Sequence, residues 1–400
     1  MKLIKKFLGI TAVIAVIGFM TLPLTGCPED DGGGGGGGGD GGAITVFTSA
    51  DELGKWLDAQ TDNTVATAYA VKLNVSDLTG ISTVLKSKST KYVSIDLSGS
   101  TLTSIVGQAF MSCTSLTSII IPNSVTTIGN YAFFECTNLN SVTLGSGVAS
   151  IGEQAFRSCT NLASITIPDT VTTIGSYAFW GCTNLSITWY YNPDLTASNF
   201  GDYLTTVIIP DGTTTIGDKA FMSCTSLTSI TIPDTVTSIG EQAFSFCTSL
   251  TSITIPDTVT SIGNNSFYEC TNLASVTLGS GVASIGEGVF RFCTGLTSIT
   301  IPDTVTSIGN ISFSECTNLA SVTLGSGVAS IGEQAFRSCT NLASVTFQGI
   351  IPSGSFNNDA FYELGDLRDK FYATDTTNGT PGTYTTTAPV SSTSVWTKQN

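Results

Sequence analysis

The chain has 400 residues, with 15 basic against 30 acidic side chains, no histidine and a formal net charge of −15. Such a surface repels phosphate backbones, which excludes nucleic acid as a partner, and the missing histidines remove the commonest general base and zinc ligand. Hydrophobic residues make up 41% and charged residues only 11%, so a sizeable core can form and most of the surface must be Ser, Thr, Asn and Gly.

The first 26 residues read as an export signal. Met1 to Lys6 is basic and Phe7 to Leu22 is apolar. Leu24-Thr25-Gly26-Cys27 then resembles the lipobox of bacterial lipoproteins, which implies cleavage before Cys27, its lipidation, and anchoring in the cell envelope at the outer membrane or cell surface. The apolar run also approaches the ~20 residues of a membrane span, but no basic stop-transfer flank follows it. Residues 27–42 hold a run of glycines with a few acids, a flexible tether with no side chains to specify structure.

Residues 43–100 lie outside the repeat and read as an N-terminal cap. Ser49 caps a helix carrying Leu53, Trp56 and Leu57; Ala70 to Val75 and Tyr92 to Leu97 read as strands, and Asp77 to Lys86 as a second helix. From 101 to 364 a phenylalanine and a cysteine three residues later recur every 23 residues, as in Phe110/Cys113, Phe133/Cys136 and Phe244/Cys247. A fixed period of this size means a repeat solenoid, in which each unit is too small to bury its own apolar face.

One coil shows the expected layout. Leu227, Ile230 and Ile232 form a short strand that Pro233 and Asp234 end. Val236 to Ile239 form a second extended piece, Gly240 a corner requiring positive φ, and Glu241 to Cys247 a short helical or 3-10 segment. About 12 such units are expected, with one degenerate unit at 183–201, where the beat skips 42 residues and Phe and Cys are both missing. Residues 365–400 read as a C-terminal cap.

The pattern L-x2-I-x-I-P-x3-V-x2-IG-x2-AF-x2-C resembles that of the BspA-like leucine-rich repeat family, found in surface lipoproteins of spirochaetes and of oral or gut anaerobes. The resemblance covers about 91 to 364. It implies a leucine-rich-repeat solenoid of 23-residue coils capped at both ends, and a non-enzymatic protein that attaches to extracellular-matrix proteins, host cells or other bacteria. Two unit types occur, IPDTVTSIG and LGSGVASIG, and residues 141–164 and 321–344 are identical. Such duplication argues against a unique catalytic centre inside those units.

Ten of the eleven cysteines follow the beat. Neighbouring coils lie ~4.8 Å apart with parallel side chains, a poor geometry for disulfides, so buried thiols donating to loop backbone are expected. No cofactor or metal is implied, since no C-x2-C pair accompanies the missing histidines.

Three surfaces could carry function. The column after each Phe (Phe134, Arg157, Trp180, Tyr268, Arg291 and Arg337 among its members) has the residue bias of protein interfaces. Trp189, Tyr190, Tyr191 and Tyr203 form the densest aromatic group in the array, either an anchor for a protein or glycan partner or a plug in the degenerate coil. A threonine column including Thr231, Thr254 and Thr300, beside a recurring serine, suits a solvated strand face and lacks the paired threonine columns of an ice-binding surface. Acid pairs such as Asp234 with Asp257, or Asp218 with Glu241, leave glycan cleavage as an alternative. They recur with the repeat, however, whereas a catalytic pair should be a local exception. A spacer without a ligand is the remaining alternative.

Overall fold

The computed structural model describes residues 44–399 apart from 194 and 196–199. The leader, the tether and the expected lipidation at Cys27 lie outside the described residues. Residues 44–399 form a parallel β-solenoid of about 13 turns.

Like stacks on like because the pairing register equals the sequence period. Ser298 pairs with Ser321 and Ser321 with Ser344, while Thr300, Thr323 and Thr346 pair in the same ladder. The second side of the coil is a two-residue strand, as in Ser307–Ile308 paired with Ser330–Ile331.

The third side differs from expectation. Residues 241–247 are neither helical nor 3-10 but a pair of tight turns, with Gln242 at φ 54° and Phe246 at φ 63°. A helical turn would close its N–H groups on itself. Here the left-handed residues turn alternate peptides along the solenoid axis. The N–H of Gln242, Phe244 and Phe246 then reach the carbonyls of Asn264 (3.0 Å), Ser266 (2.7 Å) and Tyr268 (2.8 Å) in the next coil. The turn side is therefore a third backbone ladder, which satisfies donors that would otherwise be buried unpaired. Gly240 is not the left-handed residue. A Cβ there would lie 2.5 Å from the Asp218 backbone nitrogen, so close approach of coils is what demands glycine.

The two unit types fit one another. In the proline type, the Asp257 carboxylate accepts the Ser280 N–H of the following glycine type at 2.7 Å, and Asp303 does the same for Ser326 at 2.7 Å. Gly279 is needed because a Cβ would sit 2.4 Å from the Pro256 carbonyl carbon.

The phenylalanines form a buried spine. Phe110, Phe133 and Phe156 stack at 5.2 and 5.0 Å within 6° of parallel, and Phe221 through Phe336 continue at 5.1 to 5.4 Å. All ten repeat cysteines are buried free thiols. From Cys136 onward most donate Sγ–H to the phenylalanine carbonyl of the preceding coil, for example Cys136 to Phe110 at 2.9 Å and Cys270 to Phe244 at 3.1 Å. Burial pushes the Cys113 thiol up to about 11, and Cys293 and Cys339 well above the ordinary thiol value.

Residues 44–97 join the solenoid as coils of a different kind. Thr45–Phe47, Tyr69–Leu73 and Val93–Asp96 continue the main sheet in parallel to Leu116–Ile120. Helices Ala50–Asp58 and Ile81–Ser87 replace the turn side. Ser49 caps the first helix, accepting from the Glu52 N–H at 3.3 Å.

The skip is one shortened coil. Ser186–Tyr190 pairs in parallel with both Ser164–Ile167 and Leu204–Ile208, with a register shift between Ile187 and Thr188. It does not lack a core phenylalanine: Phe200 is buried and meets Trp189 at 4.9 Å. The strand expected at 227–232 has no regular ladder. At the far end Gly382–Thr385 pairs antiparallel to Ser344–Phe347 and ends the parallel growth. Trp396 is buried there, donating Nε1–H to the Leu364 carbonyl at 2.7 Å.

Candidate functional site

The turn side brings arginines and aromatic rings together along the column that follows the phenylalanine spine. The guanidinium of Arg157 lies 4.6 Å from the ring centre of Trp180 in the next coil and 5.6 Å from Phe134 in the previous one. Its Nη1 donates to Gln154 Oε1 at 2.6 Å, which fixes its plane. Trp180 is 54% exposed and Tyr177, in the same coil, 65%. A second cluster forms around Arg291, which sits 4.8 Å from Phe292 and 5.9 Å from Tyr268. Arg337 lies 5.7 Å from Tyr362. These are cation–π distances.

Arg157 and Arg337 belong to the two identical units, so their different neighbours come from the coils on either side. The Nε atoms of Arg157, Arg291 and Arg337 are buried without an acceptor. An unpaired buried donor is unfavourable for folding, and the neighbouring rings, with Gln154 beside Arg157 and Gln334 beside Arg337, offset part of that cost.

Trp189 and Tyr191 do not belong to an exposed aromatic patch. Trp189 is fully buried, with its ring 5.5 Å from Tyr191 and 5.7 Å from Phe221. The shortened coil fills its interior with these rings, and Trp189 Nε1 is left without a partner. The Tyr191 hydroxyl accepts the Gly217 N–H at 3.1 Å. Tyr203 is partly buried against the core. Tyr190 is 38% exposed on the strand face beside Ile208.

The sequence reading missed Tyr131, Tyr177, Phe246 and Phe292. All four stand at the left-handed turn positions, with φ of 59°, 57°, 63° and 60°. Bulky residues are uncommon there. Their signal is an aromatic three residues before, or one after, a ridge member.

The recurring acids serve the backbone. Asp218 accepts the Glu241 N–H at 2.8 Å. The Ser280 and Ser326 donors hold the Asp257 and Asp303 carboxyls below the ordinary carboxylate value, the opposite of what a general acid needs. On the strand face, Ser252/Ser275 and Thr254/Thr277 stand in register as two exposed hydroxyl columns, not one. Among the described residues, no helix is long and apolar enough to cross a membrane.

A family model described as BspA type leucine-rich repeat region matches residues 82–196, 198–294 and 272–378. A leucine-rich repeat protein from Bacteroides ovatus is 30% identical, over 66% of this chain and 76% of that one, with a TM-score of 0.44. A leucine-rich cell surface protein from Faecalibacterium prausnitzii is 28% identical, over 70% and 79%, with a TM-score of 0.32. The pneumococcal vaccine antigen PcpA is 19% identical, over 76% and 74%, with a TM-score of 0.36. No curated protein matches.

Proposed function

The chain belongs to the BspA-type leucine-rich repeat family, and from that premise we propose that it is a surface-displayed, non-enzymatic binding protein whose partner docks on the arginine–aromatic ridge. The observation that carries this reading is the half-exposed Trp180 held from behind by the Arg157 guanidinium, beside Tyr177 in a left-handed conformation. Ring and guanidinium are pre-positioned, so little side-chain entropy remains to be lost on binding, and Trp, Tyr and Arg are the residues that dominate interface energetics.

Attachment to extracellular-matrix proteins, host cells or other bacteria is the activity in view. Lipidation at Cys27 and the glycine-rich tether would present the solenoid at the cell surface, at the outer membrane where the cell has one. Two measurements test this. Protease added to intact cells should remove the solenoid if it faces outward, and protection until the envelope is broken contradicts surface display. The purified chain should bind members of a matrix-protein panel without degrading them, and release of products from a matrix or glycan substrate contradicts the non-enzymatic reading.

A further inference from the structure

The main sheet is closed at one end of the solenoid and open at the other. At the far end Gly382–Thr385 adds antiparallel, and the outermost strand, Thr397–Lys398, has two residues and carries a charge. Shortness and an edge lysine are common means of blunting a sheet edge. At the near end the outermost strand is Thr45–Phe47, which among the described residues pairs with Tyr69–Leu73 alone. It has no charge, proline or bulge.

The register shows what this edge offers. Asn74 donates its N–H to the Phe47 carbonyl at 2.9 Å, and bonding residues alternate along a parallel ladder. Thr45 and Phe47 therefore bond to Tyr69–Leu73, while the N–H and carbonyl of Val46 point away from it. Ile44 and Val46 lie on the face opposite the buried Phe47 and are 53% and 49% exposed. Among the described residues, no large hydrophobic side chain is exposed from 209 to 349, so this pair is an exception on the solenoid surface.

We infer that the occupant of the near edge is a second copy of the chain, joined across a twofold axis at Val46, so that the two main sheets continue into one. A twofold axis makes the two edge strands antiparallel. Val46 of each copy then donates its N–H to the Val46 carbonyl of the other, and Ile44 and Val46 of both copies form one apolar strip across the seam.

Charge selects this approach. Residues 101–364 hold seventeen acidic and four basic side chains, a net of −13, whereas residues 43–100 hold six acids and five lysines, a net of −1. Copies meeting side by side bring like charges together, and copies meeting at their near ends do not. A twofold contact also closes on itself, so it gives a dimer and not a filament. It uses no ridge residue, and it stands or falls apart from the ridge.

The test is cross-linking of the full chain in mild detergent, at about 10 µM, with a short bis-maleimide. The repeat thiols are buried, and the unsubstituted chain supplies the background from Cys27. Val46→Cys should cross-link about 100-fold faster than Thr254→Cys on the strand face or Val395→Cys at the far end, because a bound pair holds its thiols at an effective concentration near millimolar. Val46→Pro removes an N–H that the chain's own ladder does not use, and an edge strand tolerates it. Light scattering should find this variant monomeric with unchanged circular dichroism, and Val395→Lys dimeric.

Equal rates at the three cysteines overturn the inference, as does a dimer that survives Val46→Pro. Faster cross-linking of Val395→Cys alone puts the contact at the far end and also overturns it. A monomeric chain whose Val46→Cys thiol stays unreactive means that another segment of the same chain covers the edge, which contradicts a second copy there.

Discussion

Phe244 sits within the longest unbroken part of the spine, fully buried and stacked at 5.1 Å on Phe221 and at 5.1 Å on Phe267. Phe244→Ala removes both stacking contacts and leaves a cavity that the ladders of Ser238–Ile239 and of the turn side keep from closing. The cost should be about 3–5 kcal/mol. A solenoid confines that loss, since each coil contacts only its neighbours. Native-state hydrogen exchange reads it coil by coil. The ladder amides of Phe221, which donates to Ala243, and of Phe244, which donates to Ser266, should lose roughly two to nearly four orders of magnitude of protection. Amides near Phe133, on the far side of the shortened coil, should change little. An equal loss along the whole array would refute the reasoning, because it would mean that the coils open only together.

Thiol titration should find no fast-reacting repeat cysteine in the native chain at pH 8, since all ten are buried from the reagent, including Cys182, which the Cys159 thiol holds below the ordinary thiol value, and ten repeat thiols should become reactive in denaturant; far fewer would mean that the ladder holds disulfides. Ser338→Gly, at φ 59°, should raise stability by up to about 1 kcal/mol, measured by chemical denaturation, as left-handed strain of ~1–2 kcal/mol is exchanged for glycine entropy. Gly240→Ala should destabilise strongly in the same experiment, because its Cβ would meet the Asp218 nitrogen at 2.5 Å; indifference would contradict the close packing of coils. Asp257 has a folded pKa below its ordinary 3.8, so its contribution is present above that value and lost as pH falls through the lowered one. Asp257→Asn keeps the acceptor, as Asn123 does for the Ser146 N–H at 3.0 Å, and should flatten the acid limb of the stability profile; an unchanged limb assigns acid sensitivity elsewhere.

The phenylalanine–cysteine beat was legible because interior columns tolerate one residue type: a stacked ring wants a ring, and a thiol fits where its S–H can reach a carbonyl one coil back. The left-handed turns were not. They fall on Gln242, Phe246, Asn265 and Glu269, which advertise no special conformation, while the conspicuous Gly240 recurs in the pattern for space and not for φ. The coils at 44–97 were hidden because their strands pair at offsets of 26 and 24 residues (Thr45 with Val71, Tyr69 with Val93) and helices replace the Phe–Cys turn that makes the period visible. The ridge was half legible: the column after each Phe identified Arg157 and Trp180, but the aromatics at Tyr177 and Phe292 belong to neighbouring columns that only the fold brings alongside. Trp189 misled because aromatic density looks the same whether rings face out or, in a coil four residues short, fill the inside.

Adhesion of chain-coated beads to the matrix protein or glycan that the wild type binds, compared between a ridge variant (Arg157→Ala, Trp180→Ala and Tyr268→Ala together) and a strand-face variant (Thr254→Lys with Thr300→Lys), weighs the ridge against the other large surface of the solenoid. The ridge variant should lose attachment while keeping its circular dichroism, and the strand-face variant should retain it. Attachment that survives in the ridge variant and fails in the strand-face variant would place function on the hydroxyl columns and contradict the ridge as the binding surface.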